Sequence, residues 1–479
     1  MKDKFYITTA IDYVNAKPHV GHAVEKLQAD VIARWHREAL NDDTYFLTGS
    51  DENALKNVQS AKKAGKPTAE FIKENAGYFQ DLKSMLNLDY DQFIRTTEKR
   101  HFEGAQKLWK NFKSEDIIKK PYKGLYCVGC EEFKMEKDLV DGKCPDHLTV
   151  PEEIEEENYF FKLSNYQKQL EEMIERDVIK IVPEFRKNEV LSFVRQGLDD
   201  FSISRSVERA ENWGVPVPGD ESQIMYVWVD ALSNYITALD YASEGDLFKK
   251  YWLENNNRVH VIGKGILRFH AIYWPAMLLS ANIPVPTMIL SHEYLTINNQ
   301  KISKTLGNII DPQEVVDKFG IDGARYVLLS SLSTNKDGDI SWEKMTEKYN
   351  ADLANGLGNL VSRVVKLYEK TDEVFELHTY KNPLGFSNEE TKLLNDFKFD
   401  QVLDLIHLDV FTLNKYIEDN KPWESVKNDK DKFHYEMDYL IEGLNGISQK
   451  ISIFMPDAAK SIRKSLETKV AEPLFQRIK

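Results

Sequence analysis

The feature that most constrains this chain is an alternation, at its beginning, of short strand-like runs with helical stripes. Lys4-Phe5-Tyr6-Ile7-Thr8-Thr9-Ala10-Ile11 is rich in β-branched and aromatic residues and reads as a buried strand. After the loop Asp12 to Pro18, Val24, Leu27, Val31 and Trp35 fall on one helical stripe. Tyr45-Phe46-Leu47-Thr48 is a second strand ending at Gly49-Ser50, and a helical stretch then runs to Gly65. Strand, helix, strand, helix indicates a parallel α/β sheet. The pattern breaks between about 115 and 220. It resumes with strand-like runs at Met225-Tyr226-Val227-Trp228-Val229 and Arg258-Val259-His260-Val261-Ile262. From about 350, strand signals give way to helical stripes that begin with Leu353, Leu357, Leu360 and Val364.

Length and composition fit this division. A chain of 479 residues exceeds one ordinary core, and 42% hydrophobic with 29% charged residues is a globular profile. We expect five segments: 1–114, first half of the catalytic sheet domain; 115–220, an insertion; 221–310, second half; 311–349, a linker and stem-contact region; 350–479, a helical bundle. No run of eighteen apolar residues is present, and the N-terminus resembles neither a signal nor a transit peptide, so a cytoplasmic protein without a membrane segment is expected. A net charge of −14 argues against coating nucleic acid by charge alone but leaves room for a local RNA site.

Two short motifs carry chemistry. His19-Val20-Gly21-His22 sits where the first strand and loop become a helix. A helix N-terminus offers free N–H groups and a positive dipole end to phosphate. Gly21 admits a ligand close to the backbone, and two imidazoles can donate to oxygens gaining charge. The plainer alternative is one capping and one solvated histidine. Lys301-Ile302-Ser303-Lys304-Thr305 places two lysines and two hydroxyls in one loop that can meet a triphosphate. Alone, it equally describes a solvated turn.

Together, in this order across a split α/β sheet, the motifs resemble the HIGH and KMSKS signatures of class I aminoacyl-tRNA synthetases. Further stretches are similar to the methionyl family: Tyr13-Val14-Asn15-Ala16-Lys17-Pro18-His19, Tyr226 to Leu232, Phe269 to Met277 and Ala351 to Asn359. The resemblance spans essentially the whole chain. It implies a split Rossmann-type catalytic domain with a zinc-knuckle insertion and a C-terminal α-helical anticodon-binding bundle. The implied activity is ATP-dependent activation of methionine and its transfer to tRNA(Met). His19, His22, Lys301 and Lys304 would be catalytic, and Gly21, Gly263, Ile302 and Ser303 would join His19, His22 and Lys304 around ATP, which carries Mg²⁺. By the same resemblance Ile11, Tyr13, Trp228, Ala231, Leu232, Tyr235, Ile266 and His270 line the methionine pocket, and Asp51 holds its ammonium. Arg205 would face the tRNA acceptor end. About a hundred residues between the sheet halves leave no room for the large editing domain of the isoleucyl, valyl and leucyl relatives. Three positions depart from the family: Asn53 follows Asp51-Glu52 where His-Gly is usual, Gly265 replaces an aspartate that contacts the ATP ribose, and the lysine loop reads KISKT.

The three cysteines, Cys127, Cys130 and Cys144, lie within twenty residues, and Cys127-x2-Cys130 with Cys144-x2-His147 has the spacing of a closed tetrahedral zinc site. Three structural cysteines beside an unrelated histidine is the alternative. In the helical third, Asn359 and Arg363 are four apart and share a helix face, while Trp423 follows Pro422 at a helix start. Such side chains read unpaired bases. They could as well be surface residues and a core plug, but resemblance assigns all three to the anticodon. A monomer is expected. The rival readings are a cysteinyl enzyme, a small-molecule nucleotidylyltransferase and an RNA-binding zinc protein on a dead synthetase fold.

Overall fold

In the computed structural model, described residues are 2–127, 129, 132–134, 136, 139–145, 148–302, 308–333, 336–380, 384–471 and 473–479. The expected first strand is Lys4–Thr9, and it is central. It pairs in parallel with Asp43–Asp51 on one side and Arg258–Gly263 on the other. Beyond Arg258–Gly263 come Met288–His292 and then Lys180–Val182, while Gln92–Arg95 pairs with Asp43–Asp51 at the opposite edge. Asp12–Tyr13 resumes pairing along Asp43–Asp51 after a break at Ala10-Ile11. All seven strands run parallel, so their carboxyl ends open on one side, where ligands of such sheets gather. Lys180–Val182 lies inside the stretch expected to be insertion, yet it forms an edge of the main sheet.

The helix Val20–Arg34 crosses the sheet with nearly every residue buried. It starts where it does because His19 caps it, and it is sandwiched between the strands and the helix Pro312–Leu329. The strand-like run at Met225–Val229 is not a strand of the main sheet. The strand Asp220–Met225 belongs to a small antiparallel sheet with Ser204–Ser206 and Pro216–Val217, and Val227–Thr237 is a helix. All eleven of its residues are buried, and a run apolar on every side has no period to separate helix from strand.

After Gly338–Ile340 the described residues contain helices and no strand, as the stripes require. Asn359–Tyr368, Phe399–Asn420, Lys430–Ile451 and Pro456–Thr468 pack on a core continuous with one face of the sheet. Trp35 meets Phe386 edge-on at 5.4 Å across this junction, a contact worth about 1 kcal/mol beyond its area. Arg325 is fully buried there: it donates to Asp30 at 2.7 Å and to the carbonyls of Leu86, Asn87, Ile453 and Phe454. No helix among the described residues is long and apolar enough to cross a membrane.

Candidate active site at the strand ends

A cleft of about 610 Å³ opens at the carboxyl ends of Lys4–Thr9, Asp43–Asp51 and Arg258–Gly263. Ile11, Tyr13, His19, His22, Asp51, Trp228, Ala231, Leu232, Tyr235, Gly263, Ile266, His270 and Ile302 all line it. Residues spread over three hundred positions of sequence thus converge on one cavity. Gly21 lies against the His19 ring, which a Cβ there would meet at 2.9 Å, so glycine is what lets that ring fold back over the helix start.

The two histidines of the first motif are held by the helix they start. His19 Nδ1 accepts from Gly21 N–H at 3.1 Å, and His22 Nδ1 accepts from His19 N–H at 3.0 Å, a reciprocal capping box made by imidazoles. Because each Nδ1 is an acceptor, each neutral ring carries its proton on Nε2. The rings lie 3.8 Å apart. Capping, the alternative role for one of them, is therefore a role of both, and it is what fixes the donor position of each.

The wall opposite is aromatic. Trp228 stacks on Phe269 at 3.8 Å. His270 Nδ1 faces the Ile266 carbonyl at 2.9 Å and its Nε2 faces Tyr235 Oη at 2.7 Å. Burial pulls the His270 pKa down to about 4, so the ring is neutral, with Nδ1–H donating to the carbonyl and Nε2 accepting from the tyrosine. His270 sits in a widened helical turn, Phe269–Tyr273. This pocket suits an apolar, polarisable side chain. Asp51, 3% exposed, ends its strand and accepts from Asn53 N–H at 3.2 Å. Next to it Glu52 holds Arg95 in a fork, at 2.7 and 3.1 Å.

Several lining residues escaped the sequence reading. Asp12 pairs with buried Lys26, and Glu25 pairs with His292 at 3.0 Å. Burial lowers the Lys26 and His292 pKa values, but the neighbouring carboxylates outweigh it and both are raised. The signal was present: His22, Glu25 and Lys26 are three and four apart on the helix that the motif begins. Tyr294 was also missed. A Cβ on Gly265 would lie 2.3 Å from its hydroxyl, so the glycine departure goes with a tyrosine in the space of the missing side chain.

Other expectations divide. Lys301 ends a short strand, and Ser303 and Lys304 lie outside the described residues. Cys127 and Cys144 are buried; Cys130 and His147 lie outside the described residues. Arg205 borders a small depression beside the cleft, which Tyr126 and Tyr226 also line. It is 6% exposed, donates to Ser202 and the Ser204 carbonyl, and stacks on Tyr126 and Tyr226. In the bundle, Trp423 is 39% exposed at a helix start and is no core plug. Asn359 Nδ2 and an Arg363 nitrogen both reach Asn414 Oδ1, at 3.3 and 3.2 Å, and Arg363 pairs with Glu418 at 3.4 Å. Asn414 and Glu418 lie on the last turns of Phe399–Asn420, the helix that ends just before the one carrying Trp423.

The chain is similar to known proteins along most of its length. The family described as tRNA synthetases class I (M) matches residues 5–151 and 147–365. A methionine–tRNA ligase of Caldanaerobacter subterraneus is 39% identical over 97% of this chain and 74% of its own length. That of Brucella suis is 39% identical over 96% of this chain and 91% of its own. Among solved structures, Mycobacterium tuberculosis methionyl-tRNA synthetase in complex with methionyl-adenylate superposes with a TM-score of 0.86 at 37% identity, covering 97% of this chain and 93% of that one.

Proposed function

The chain belongs to the methionyl branch of the class I tRNA synthetases, and from that membership we infer that it is a methionine–tRNA ligase that uses ATP. The observation that carries the reading is the convergence in one cleft of the histidine-capped helix, Asp51 and the Trp228–Tyr235–His270 wall. It activates methionine to methionyl-adenylate and charges tRNA in protein synthesis.

The roles of individual residues follow from position. The methionine thioether fills the space between Trp228, Leu232, Tyr235 and Ile266, and Asp51 binds its ammonium. Its carboxylate attacks the α-phosphate of ATP, which enters as its Mg²⁺ complex, and pyrophosphate leaves with the P–O bond pair. His19 and His22 donate from Nε2 to phosphoryl oxygens as charge grows on them, and Lys301 and Lys304 bring positive charge to the triphosphate. A terminal ribose hydroxyl of tRNA then attacks the acyl carbon and AMP leaves. No step requires a protein nucleophile. Positioning and charge stabilisation supply the acceleration.

In the insertion, Cys127, Cys130, Cys144 and His147 would hold one structural zinc. The donor chemistry fits, since Cys127 closes a strand and Cys144 sits in a tight turn, both excluded from water. Bound there, zinc would tie the turn to the strand end. Metal-replete protein should contain about one zinc per chain by elemental analysis, and Cys130→Ala should lose it along with the stability of 115–220. Protein without stoichiometric zinc would refute this.

Asn359, Arg363 and Trp423 would read the anticodon. Wild type should catalyse ATP–pyrophosphate exchange with methionine alone among a panel of amino acids. Trp423→Ala should leave that exchange intact and lower kcat/KM for tRNA charging by roughly tenfold or more, given ~1–3 kcal/mol per stacked base. Equal loss of both activities together with the melting temperature would make Trp423 structural. The cytoplasm and a monomeric state remain part of this proposal, in keeping with the chain's translation role.

A further inference from the structure

Two walls of the cleft come from different parts of the sheet domain. Asp51 ends the strand Asp43–Asp51, while Trp228, Ala231, Leu232 and Tyr235 line the cleft from the helix Val227–Thr237. Those four are spaced i, i+3, i+4 and i+7, so one stripe of the helix faces the cleft. Asp230 and Thr237 fall on the opposite side and are buried.

His101, on the helix Lys99–Asn111, has no exposed surface and meets both of them. Its Nε2 faces an Asp230 carboxylate oxygen, and its Nδ1 faces Thr237 Oγ1 at 2.8 Å. A carboxylate only accepts, so Nε2 carries a proton and donates it. One imidazole thus grips the wall helix at two points about two turns apart. Gly104 allows the approach, since a Cβ there would lie 2.5 Å from Thr237 Cγ2.

The other Asp230 oxygen reaches the opposite wall. It accepts from Asn53 Nδ2 at 2.7 Å, and Asn53 N–H donates to Asp51 Oδ1 at 3.2 Å. Thr96 holds the same segment to the sheet, its carbonyl accepting from Asn53 Nδ2 at 3.1 Å and its hydroxyl from Glu52 N–H at 2.8 Å. Thr237, His101, Asp230, Asn53 and Asp51 therefore form one buried polar chain from wall to wall. In a low-dielectric interior such links resist displacement.

We propose that His101 sets the length of the amino-acid pocket. It clamps the wall helix and, through Asp230 and Asn53, ties it to Asp51. The separation between ammonium site and side-chain wall, and with it the chain length activated, is fixed by that clamp. His101 is a positioning residue that acts through Asp230. The inference rests on the methionine-activation reading.

The test uses the full chain as wild type, His101→Phe, His101→Gln and Thr237→Val. Each is assayed by ATP–pyrophosphate exchange with methionine and with ethionine, which is one methylene longer. Phenylalanine keeps a planar ring and has no donor. In His101→Phe the KM for methionine should rise roughly tenfold, and the preference for methionine over ethionine should fall roughly tenfold, the lower end of what one methylene is worth in a pocket. KM for ATP should match wild type. Glutamine can donate to Asp230, so His101→Gln should recover most of the preference. Thr237→Val keeps the shape and loses one end of the clamp, so its preference should fall roughly threefold, the scale of one neutral hydrogen bond. A His101→Phe protein that melts early but keeps the wild-type KM and preference would overturn the proposal. So would a KM for ATP rising in step with that for methionine, or a His101→Gln that recovers nothing. If His101→Phe does not fold, Thr237→Val decides, and a wild-type preference there overturns the proposal. Wild type without methionine-dependent exchange would instead sink the underlying reading.

Discussion

His19→Asn should lower the rate of adenylate formation by about 10²–10³-fold, the cost of removing one preorganised donor from a charge-developing site. The choice of asparagine matters. His19 has two jobs on two nitrogens: Nδ1 caps the helix Val20–Arg34 through Gly21 N–H, and Nε2 carries the proton of a ring that lines the cleft. Asparagine is among the best N-cap residues and keeps the first job. It has no donor at the position of Nε2 and loses the second. The melting temperature should therefore stay near that of wild type while pre-steady-state adenylate formation collapses, with little change in the methionine dissociation constant. A variant that melted early and lost methionine binding as well would show that His19 serves the helix alone.

Arg325→Ala should destabilise the protein by about 3–5 kcal/mol, since each buried carbonyl left without a donor costs about 1–3 kcal/mol. Arg325 has no exposed surface and joins three regions. It pairs with Asp30 of the central helix, caps the carbonyls of Leu86 and Asn87 in the first half of the sheet domain, and caps those of Ile453 and Phe454 in the bundle. Alanine takes this donor from the carbonyls of Leu86, Ile453 and Phe454, while the Asn87 carbonyl keeps Arg34 at 2.9 Å, and it leaves a cavity of guanidinium size. Asp30 keeps Arg34 at 2.9 Å, so the charge itself is not stranded. Thermal unfolding should shift down strongly, and protease should cut between sheet domain and bundle at lower temperature. Arg363→Ala, which removes only part-exposed pairs, should change stability by no more than about 0.5 kcal/mol. Equal small shifts in both variants would mean that the junction does not depend on Arg325.

Much of this was written locally in the chain. The run Lys4 to Ile11, the stripe from Val24 to Trp35 and the strand at Tyr45 to Thr48 specify strand, helix and strand because period and β-branching are set by neighbours in sequence. The histidine motif fell at a helix start for the same reason, since capping is a contact between residues two or three apart. The pocket residues Trp228, Tyr235 and Ile266 were legible through family likeness alone, because on local grounds each is an ordinary core residue.

Tertiary structure decided the rest. Met225–Val229 carries no period, so only packing on every side made Val227–Thr237 a helix. Lys180–Val182 is too short to announce itself, and only pairing with Met288–Leu290 makes it a strand of the main sheet. Arg205 is one arginine in a polar stretch until the Tyr126 and Tyr226 rings, from distant parts of the sequence, pack against it. Arg325 reads as one more charge on a helix until Asp30 and four carbonyls, from regions far apart in sequence, close around it. In each case the deciding partners lie more than twenty residues away, and burial, which sets the energy of a charge or a strand edge, is a property of the assembled fold that no local window of sequence contains.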